Sequence, residues 1–316
     1  MSKTICITGV NGFLGSATAA AFVAAGHRVI GVGTTPVPAS AVVPEVVYRA
    51  LDINDTDSLT TLFREFGVEE VYHLAGIKYV GICENDPERC RLVNHTGTES
   101  ILAAMKAAQV THIVFASTYI VYDTTAEVVV VDETSILAPT TVYGQTKLAA
   151  EESIVAAQKA GDIETYQILR YGNVIGRALP GSFKVESMID RIVDAALRET
   201  PITLLGTEHK TIDGTIARDF VAVQDVVNAH VLLVDNIQSS IYNIASGVPV
   251  TLRQIITAVE SVTGKTVAIE VKPANQEPDS VTVVSHKANE TFGWRATTPL
   301  IDTVRQLVQI AQGTTR

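Results

Sequence analysis

The sequence is poor in cysteine, tryptophan, basic charge and long apolar runs. It has three cysteines, one tryptophan and 6% aromatic residues in 316 positions. So few cysteines, and an odd number of them (Cys6, Cys83, Cys90), argue against a disulfide framework and fit a reducing, cytoplasmic setting. No cationic motif flanks Cys83 or Cys90, so both read as bystanders. Lys and Arg number 24 against 34 Asp and Glu, a net charge of −10. That balance speaks against a nucleic-acid footprint or a polybasic membrane patch, although local donors can still hold an anionic ligand. No apolar run approaches the roughly 18 residues of a membrane span. The first strand is expected to begin near residue 3, which leaves no room for an export signal. The seven histidines show no ligand spacing with cysteines or carboxylates, so no metal site is expected. His73, ending an apolar run, reads as a structural residue.

What is present is a globular composition, 47% hydrophobic and 18% charged. A chain of this length can bury about 75% of its unfolded surface without staples. Apolar patterning predicts strands near residues 3–8, 27–32, 46–51, 70–74, 112–116 and 165–171. Helical spacing predicts helices near 12–25, 57–66, 86–108 and 141–160. Strands alternating with helices imply βαβ units, hence an α/β fold with a doubly wound, Rossmann-like parallel sheet over residues 1–174. Residues 175–316 are expected to form a smaller α/β substrate domain, with helices near 186–198, 224–234, 252–263 and 300–311. Strands are expected there near 202–205 and 267–271. The segment 220–245 is expected to return to the first domain through a strand at 240–244. Four valines at 128–131 suit a core or an edge strand, and residues 34–44 read as a loose loop.

Four constellations could carry chemistry. Gly9-Val10-Asn11-Gly12-Phe13-Leu14-Gly15 follows a predicted strand and opens a predicted helix. Glycines there allow a tight turn and close approach to a pyrophosphate, which the helix N-terminus attracts. The plain alternative is a strand-to-helix turn, and the spacing is GxxGxxG rather than the simplest dinucleotide fingerprint. A carboxylate ending the second strand would hold the adenosine ribose; here that strand ends Val32-Gly33-Thr34-Thr35, with none. Asp52 could accept from an adenine amino group or serve as a turn cap. Tyr143 and Lys147 are four apart on a predicted helix and share a face. A nearby ammonium, together with a positively charged nicotinamide ring, favours the phenolate, and a drop of roughly 3 pKa units takes about 4 kcal/mol. Ser117-Thr118 ends a predicted strand, where a hydroxyl could bond a substrate alcohol and share its proton with Tyr143, or simply form a turn.

Taken together, these residues resemble the extended short-chain dehydrogenase/reductases that act on nucleotide sugars. The resemblance runs from Thr8 to about Trp294, through TGVNGFLGS, HLAGIKYVG, NHTGTESILAAM, FASTYIVYD, VYGQTKLAAEE, LRYGNVIG, TIDGTIARDFVAVQDVVNAH and YNIASG. GIKYVG, and DGT followed by RDF, point to the epimerase branch. The resemblance implies that Gly9, Asn11, Gly12, Phe13, Leu14 and Gly15 hold the cofactor diphosphate. Asp52 and Ile53 would flank adenine, and Leu74, Ala75, Lys78 and Asn94 would line the cofactor side. Thr118 and Tyr143 would work on the substrate alcohol, and Lys147 would bind the nicotinamide ribose. Tyr171 would lie beside the nicotinamide. Lys78, Thr118, Asn173, Arg218 and Asp279 would meet the substrate. It further implies a homodimer through the helices near 86–108 and 141–160. The implied cofactor is NAD, with NADP left open by Gly33. The implied activity is a 4-epimerase working by transient oxidation of the sugar; the alternative is a ketosugar reductase that consumes its cofactor. A dehydratase would need carboxylates just after the active hydroxyl, where Tyr119 and Ile120 stand. Departures from the family pattern are Gly33, the sequence Gln276-Glu277-Pro278-Asp279 where the family has RxGD, and a short segment between Asn173 and Ser187.

Overall fold

The structure, a computed structural model, describes residues 2–36, 42–177, 187–274 and 277–313. Gln276, parts of the 34–44 loop and the segment 178–186 lie outside the described residues.

The chain begins with β1 (Thr4–Thr8), α1 (Phe13–Ala24), β2 (Arg28–Gly33) and β3 (Val47–Ala50). It continues through α2 (Thr56–Phe66), β4 (Glu70–His73), α3 (Val80–Asn85) and α4 (Pro87–Arg91). A π-helical turn over Leu92–Thr96 then leads into α5 (Gly97–Ala108) and β5 (His112–Thr118). A short 3-10 turn, Tyr119–Val121, precedes β6 (Val128–Val131), α6 (Val142–Lys159), β7 (Thr165–Tyr171) and β8 (Asn173–Ile175). The rest runs α7 (Met188–Arg198), β9 (Ile202–Leu205), β10 (Ala217–Ala222), α8 (Val223–Leu233), β11 (Ser240–Ile244), β12 (Pro249–Thr251) and α9 (Leu252–Thr263). It ends with β13 (Ile269–Lys272), β14 (Ser280–Val283), α10 (His286–Phe292) and α11 (Leu300–Ala311).

The main sheet has seven parallel strands in the order β11-β7-β5-β4-β1-β2-β3. Its inner strands are apolar on both faces because both are covered, as a parallel sheet requires. One face packs on α2, α5 and α6 through Leu59, Phe63, Ile101, Met105 and Ile154. The other packs on α1 and α8 through Phe22, Val226, Leu233 and the single tryptophan, Trp294. The chain leaves β1 toward β2 and β3, then returns to β4 on the other side. That reversal opens a crevice beyond the carboxyl ends of β1 and β4.

A second sheet runs β12-β10-β14-β6, with β8 pairing β10. Helices α7, α9 and α11 close a separate core around Ile189, Ile255 and Leu307. Capping boxes start α7 (Ser187 with Asp190) and α9 (Thr251 with Gln254). The valine run is an edge strand: Val129 and Val131 point inward, while Val128 and Val130 are exposed. Among the described residues no helix is long and apolar enough to cross a membrane.

Two expectations are corrected. The helix expected over 86–108 is three pieces, α4, the π turn and α5. Asp86 and Pro87 start it afresh, Asp86 accepting from Arg89 N at 3.1 Å. The extra residue of the π turn carries Asn94 inward, where its amide takes the Ile77 N–H (2.7 Å) and donates to the Ile77 carbonyl (2.9 Å). The cysteines also differ from expectation. Cys83 and Cys90 form a disulfide, with Cα atoms 5.1 Å apart, because the turn at Asp86 folds α4 back against α3. Cys6 is a free, buried thiol.

Two buried histidines tie the sheet to its helices. His73 sits between Thr8 Oγ1 (2.7 Å) and Thr98 Oγ1 (3.0 Å). His230 sits between Thr18 Oγ1 (2.9 Å) and the Tyr171 hydroxyl (2.7 Å). Burial pushes both imidazoles down to about 3, so they fold neutral. The unfolded chain binds these protons below the free-histidine value of about 6.5 and the folded chain does not, so stability falls as pH falls below it. Each histidine is expected to cost about 2 kcal/mol between pH 7 and pH 5, from about 1.4 kcal/mol per pH unit. Denaturant melts of the parent and of His230→Gln check this: the variant should lose about half the pH dependence. An unchanged dependence would refute the assignment.

Candidate active site

The carboxyl ends of β1, β4, β5 and β7 open into a cleft of about 780 Å³, walled on the far side by β8, β10 and the start of α7. That volume lies in the range of ligand sites, about 300–1,000 Å³. Fourteen residues predicted from sequence line it together: Gly9, Gly12, Phe13, Leu14, Gly15, Leu74, Ala75, Lys78, Thr118, Tyr143, Lys147, Tyr171, Asn173 and Arg218.

The glycine loop is built for close approach. Gly9 has φ +69°, and a Cβ there would stand 2.8 Å from the Ala75 backbone. A Cβ on Gly15 would stand 2.1 Å from the Gly9 carbonyl oxygen, so any side chain would push α1 off the β1 loop. Gly12 caps α1 with no side-chain hydrogen bond, and no acidic residue lies in the first turn. The backbone N–H groups of that turn and the positive end of the helix therefore suit a diphosphate. Among the described lining residues, Lys78, Lys147 and Arg218 are cationic and Glu277 is anionic. In a chain of net charge −10 this cleft is a locally positive region.

Helix α6 presents the reacting groups. Thr141 caps it, accepting from Gly144 N at 3.1 Å. Tyr143 and Lys147 then fall on its buried face. The Thr118 hydroxyl, at the end of β5, lies near enough to the Tyr143 phenol to lower its pKa. The Lys147 ammonium lies 4.0 Å from the centre of the Phe115 ring. Burial pushes Tyr143 up to about 12, partly offset by Thr118. Burial also pulls Lys147 down to about 7, partly offset by Glu151. In the protein by itself, desolvation thus outweighs the neighbouring ammonium. A further positive charge beside the phenol is needed to make it a base near neutral pH.

A network unseen in the sequence holds this helix. Glu151 accepts from Arg170 Nη2 (2.5 Å), from Arg170 Nε (3.0 Å) and from the Ser117 hydroxyl, all buried. Arg170 stacks 4.8 Å from the centre of the Tyr122 ring, and Tyr122 donates to Asn243 Oδ1 at 2.7 Å. Ser117 therefore serves the scaffold, and Thr118 alone of the pair meets Tyr143. Tyr119 also lines the cleft, beside Asn173, whose amide donates to the Asp219 carbonyl at 3.1 Å. Glu277 likewise lines the cleft and was not found from sequence.

The structure puts five predicted residues outside the cleft lining. Asp52 is an exposed turn cap, taking the Asn54 N–H at 2.9 Å. Ile53 is buried, packed where a Cβ on Gly97 would come within 2.6 Å. Asn94 is spent on Ile77 and also donates to Thr146 Oγ1 (3.2 Å). Asp279 is held by His209 Nδ1 (2.6 Å) and the Lys210 N–H (3.0 Å). Asn11 donates to the Thr35 carbonyl, its amide filling the space a side chain at Gly33 would take, 3.1 Å from that Cβ. Its Oδ1 is buried with no protein partner.

Residues 5–245 match the profile of the NAD dependent epimerase/dehydratase family. The chain is 30% identical over 275 residues to a UDP-glucose 4-epimerase of Lactobacillus helveticus, covering 84% of this chain and 83% of that one. It is 28% identical over 311 residues to a UDP-glucose 4-epimerase of Halalkalibacterium halodurans, covering 95% and 92%. Among solved structures it superposes on a UDP-glucose-4-epimerase from Stenotrophomonas maltophila with bound NAD and formylated UDP-arabinopyranose. That match has a TM-score of 0.91 at 28% identity and covers 99% of this chain and all of that one. With the parallel sheet, the glycine cradle and the Thr118, Tyr143 and Lys147 set in one cleft, the chain belongs to the NAD-dependent epimerase/dehydratase family.

Proposed function

We propose that this protein is an NAD-dependent 4-epimerase of a UDP-linked hexose, interconverting UDP-glucose and UDP-galactose. The observation that carries this is the meeting of Tyr143, Thr118 and Lys147 at the middle of a cleft whose one end is the Gly9–Gly15 cradle and whose other end is Arg218. Just past Thr118 stand Tyr119 and Ile120, so no carboxylate is placed there to eliminate water from a sugar. The relatives named epimerases, and the NAD in the superposed structure, agree with this reading.

The cleft fits the cofactor. The cradle has no room for side chains where a diphosphate would lie, and the first turn of α1 offers N–H donors. Gly9, Gly12, Phe13, Leu14 and Gly15 would hold the diphosphate, Leu74, Ala75 and Lys78 the flank, and Lys147 and Tyr171 the nicotinamide end. When bound, the cofactor's nicotinamide accepts a hydride from the sugar and returns it. Tyr143 takes the proton of the 4-hydroxyl through its contact with Thr118 and later gives it back. Lys147, in its protonated form, favours the ionised form of the phenol. Tyr171 is held by His230, so its phenol packs and takes no part in proton transfer. Asn173 and Arg218 would orient the substrate, Arg218 by the paired donors of its guanidinium. Asn11 Oδ1 stands by the end of β2 as the acceptor available in place of a carboxylate at Gly33.

We further propose a homodimer and a cytoplasmic location. The exposed Leu92 on the π turn, which packs beside α6, supports the dimer. Dependence on nucleotide sugars and NAD supports the location. There the Cys83–Cys90 bond would face a reducing pool. Alkylation of thiols at lysis, followed by mass measurement, should find the dithiol; a disulfide in freshly quenched protein would speak against a cytoplasmic location.

With UDP-galactose and no net cofactor consumption, proton NMR of the anomeric signals should show UDP-glucose appearing. Tyr143→Phe should lower turnover roughly 10²–10⁴-fold while NAD binding persists. Loss of the cofactor's reduced form in step with product, with a ketosugar as substrate, would instead identify a reductase. A pH series tests Lys147. Rates limited by the Tyr143 phenolate rise with pH to its apparent pKa, and removing a neighbouring positive charge raises that pKa. Lys147→Met should therefore move the rising limb to higher pH by about a unit or more. An unmoved limb would remove Lys147 from this role.

A further inference from the structure

Glu277 is the one carboxylate among the described lining residues of the cleft, and it sits on the guanidinium an anionic ligand would use. Arg218, on β10, is almost enclosed, with 11% of its side chain exposed. Its Nη1 donates to the carbonyls of Ala217 and Pro278, both at 2.9 Å, which fixes its plane against the segment carrying Glu277. Its Nη2 donates to Glu277 Oε2 at 2.8 Å. Glu277 is half-exposed. Both charges bear on the Tyr119 phenol, Arg218 lowering and Glu277 raising its pKa after the larger effect of burial. The pair therefore reaches the cleft wall beside the reacting groups. Other carboxylates nearby are committed elsewhere. Asp219 takes the N–H groups of Ser246, Gly247 and Val283, and Asp279 takes His209 and Lys210.

Carboxylate and phosphate oxygens compete for the same donor edge of a guanidinium. A carboxylate left beside a diphosphate also adds like-charge repulsion. We propose that Glu277 is a charge-selecting residue: it pairs with Arg218, an incoming diphosphate must break or share that pair, and Glu277 thereby sets how tightly the cleft takes the charged part of its substrate. This rests on the proposed reading that the substrate carries a nucleoside diphosphate. The nucleoside itself carries no charge and is indifferent to Glu277.

Calorimetry on the NAD-loaded protein tests this with UDP and with uridine as probes. In Glu277→Gln the Kd for UDP should fall roughly three- to tenfold, the scale of a partly exposed ion pair, and that for uridine should stay unchanged. The gain should shrink as salt rises from about 0.05 to 0.5 M. Glu277→Ala should match Glu277→Gln if charge, and not side-chain length, decides. UDP binding that is unchanged, weaker or undetectable in both forms overturns the proposal, as does an equal gain for uridine. The epimerase reading is judged separately by turnover of the parent protein. Tighter UDP binding in the variant with no epimerisation by the parent keeps the charge selector and removes the epimerase.

Discussion

The position of α6 decides what the cleft can do, and one buried carboxylate fixes that position. Glu151 lies two turns beyond Tyr143 and one beyond Lys147 on the same face of the helix. It binds Ser117 on β5 and Arg170 on β7, so a single side chain pins the helix to two neighbouring strands. Taking two charges out of water is costly, and such a pair adds little net stability over apolar packing. Removing one partner is another matter, at about 3–5 kcal/mol, because the other charge is left buried and alone. The pair thus works as a register device. It leaves α6 one place to sit, and that place sets Tyr143 against Thr118.

The same burial that fixes the geometry opposes the chemistry. Enclosure raises the Tyr143 phenol and lowers the Lys147 ammonium, so the dry site favours the neutral form of each. A proton acceptor in such a place needs positive charge brought beside it. In the proposed reaction an oxidised nicotinamide held beside Tyr143 and Lys147 would supply that charge. The Tyr143 phenol would then be ionised, and able to take a proton, while the oxidised ring stands beside it, and would hold its proton once that charge is gone. This order keeps proton and hydride transfer in step without any moving part of the chain.

Much of the fold was legible because its signals are local. The alternation of apolar strands with helices, the glycine spacing and the i, i+4 pair at Tyr143 and Lys147 all lie within short windows. Glu151, four residues beyond Lys147 on the same buried face of α6, was not singled out, although a carboxylate on a face that must be covered marks a site or a network. What was missed depends on partners far along the chain. Arg170 meets Glu151 across 19 positions, and Arg218 meets Glu277 across 59. The Cys83–Cys90 bond was missed for a different reason. Counting cysteines predicts frameworks, while this pairing comes from a turn at Asp86-Pro87 that the uninterrupted helical periodicity concealed. Asp52, Ile53 and Asn94 show the converse limit. Their motif positions carried over from a resemblance, yet each side chain is spent on local structure.

Two of the departures from the family pattern, Gly33 and the segment before Asp279, have described neighbours. At the adenosine end, Gly33 leaves room that the Asn11 amide fills, its Oδ1 buried and without a protein partner. At the other end, Glu277 faces Arg218 in the segment where the family carries a second arginine. Between them Thr118, Tyr143 and Lys147 stand on β5 and α6, locked by Glu151 to the centre of the sheet. Residues bound into that network cannot change singly without leaving a buried charge unpaired. Residues on the flanking loops meet solvent or ligand and can. The reacting groups thus stand where burial is deep, while Glu277 stands half-exposed.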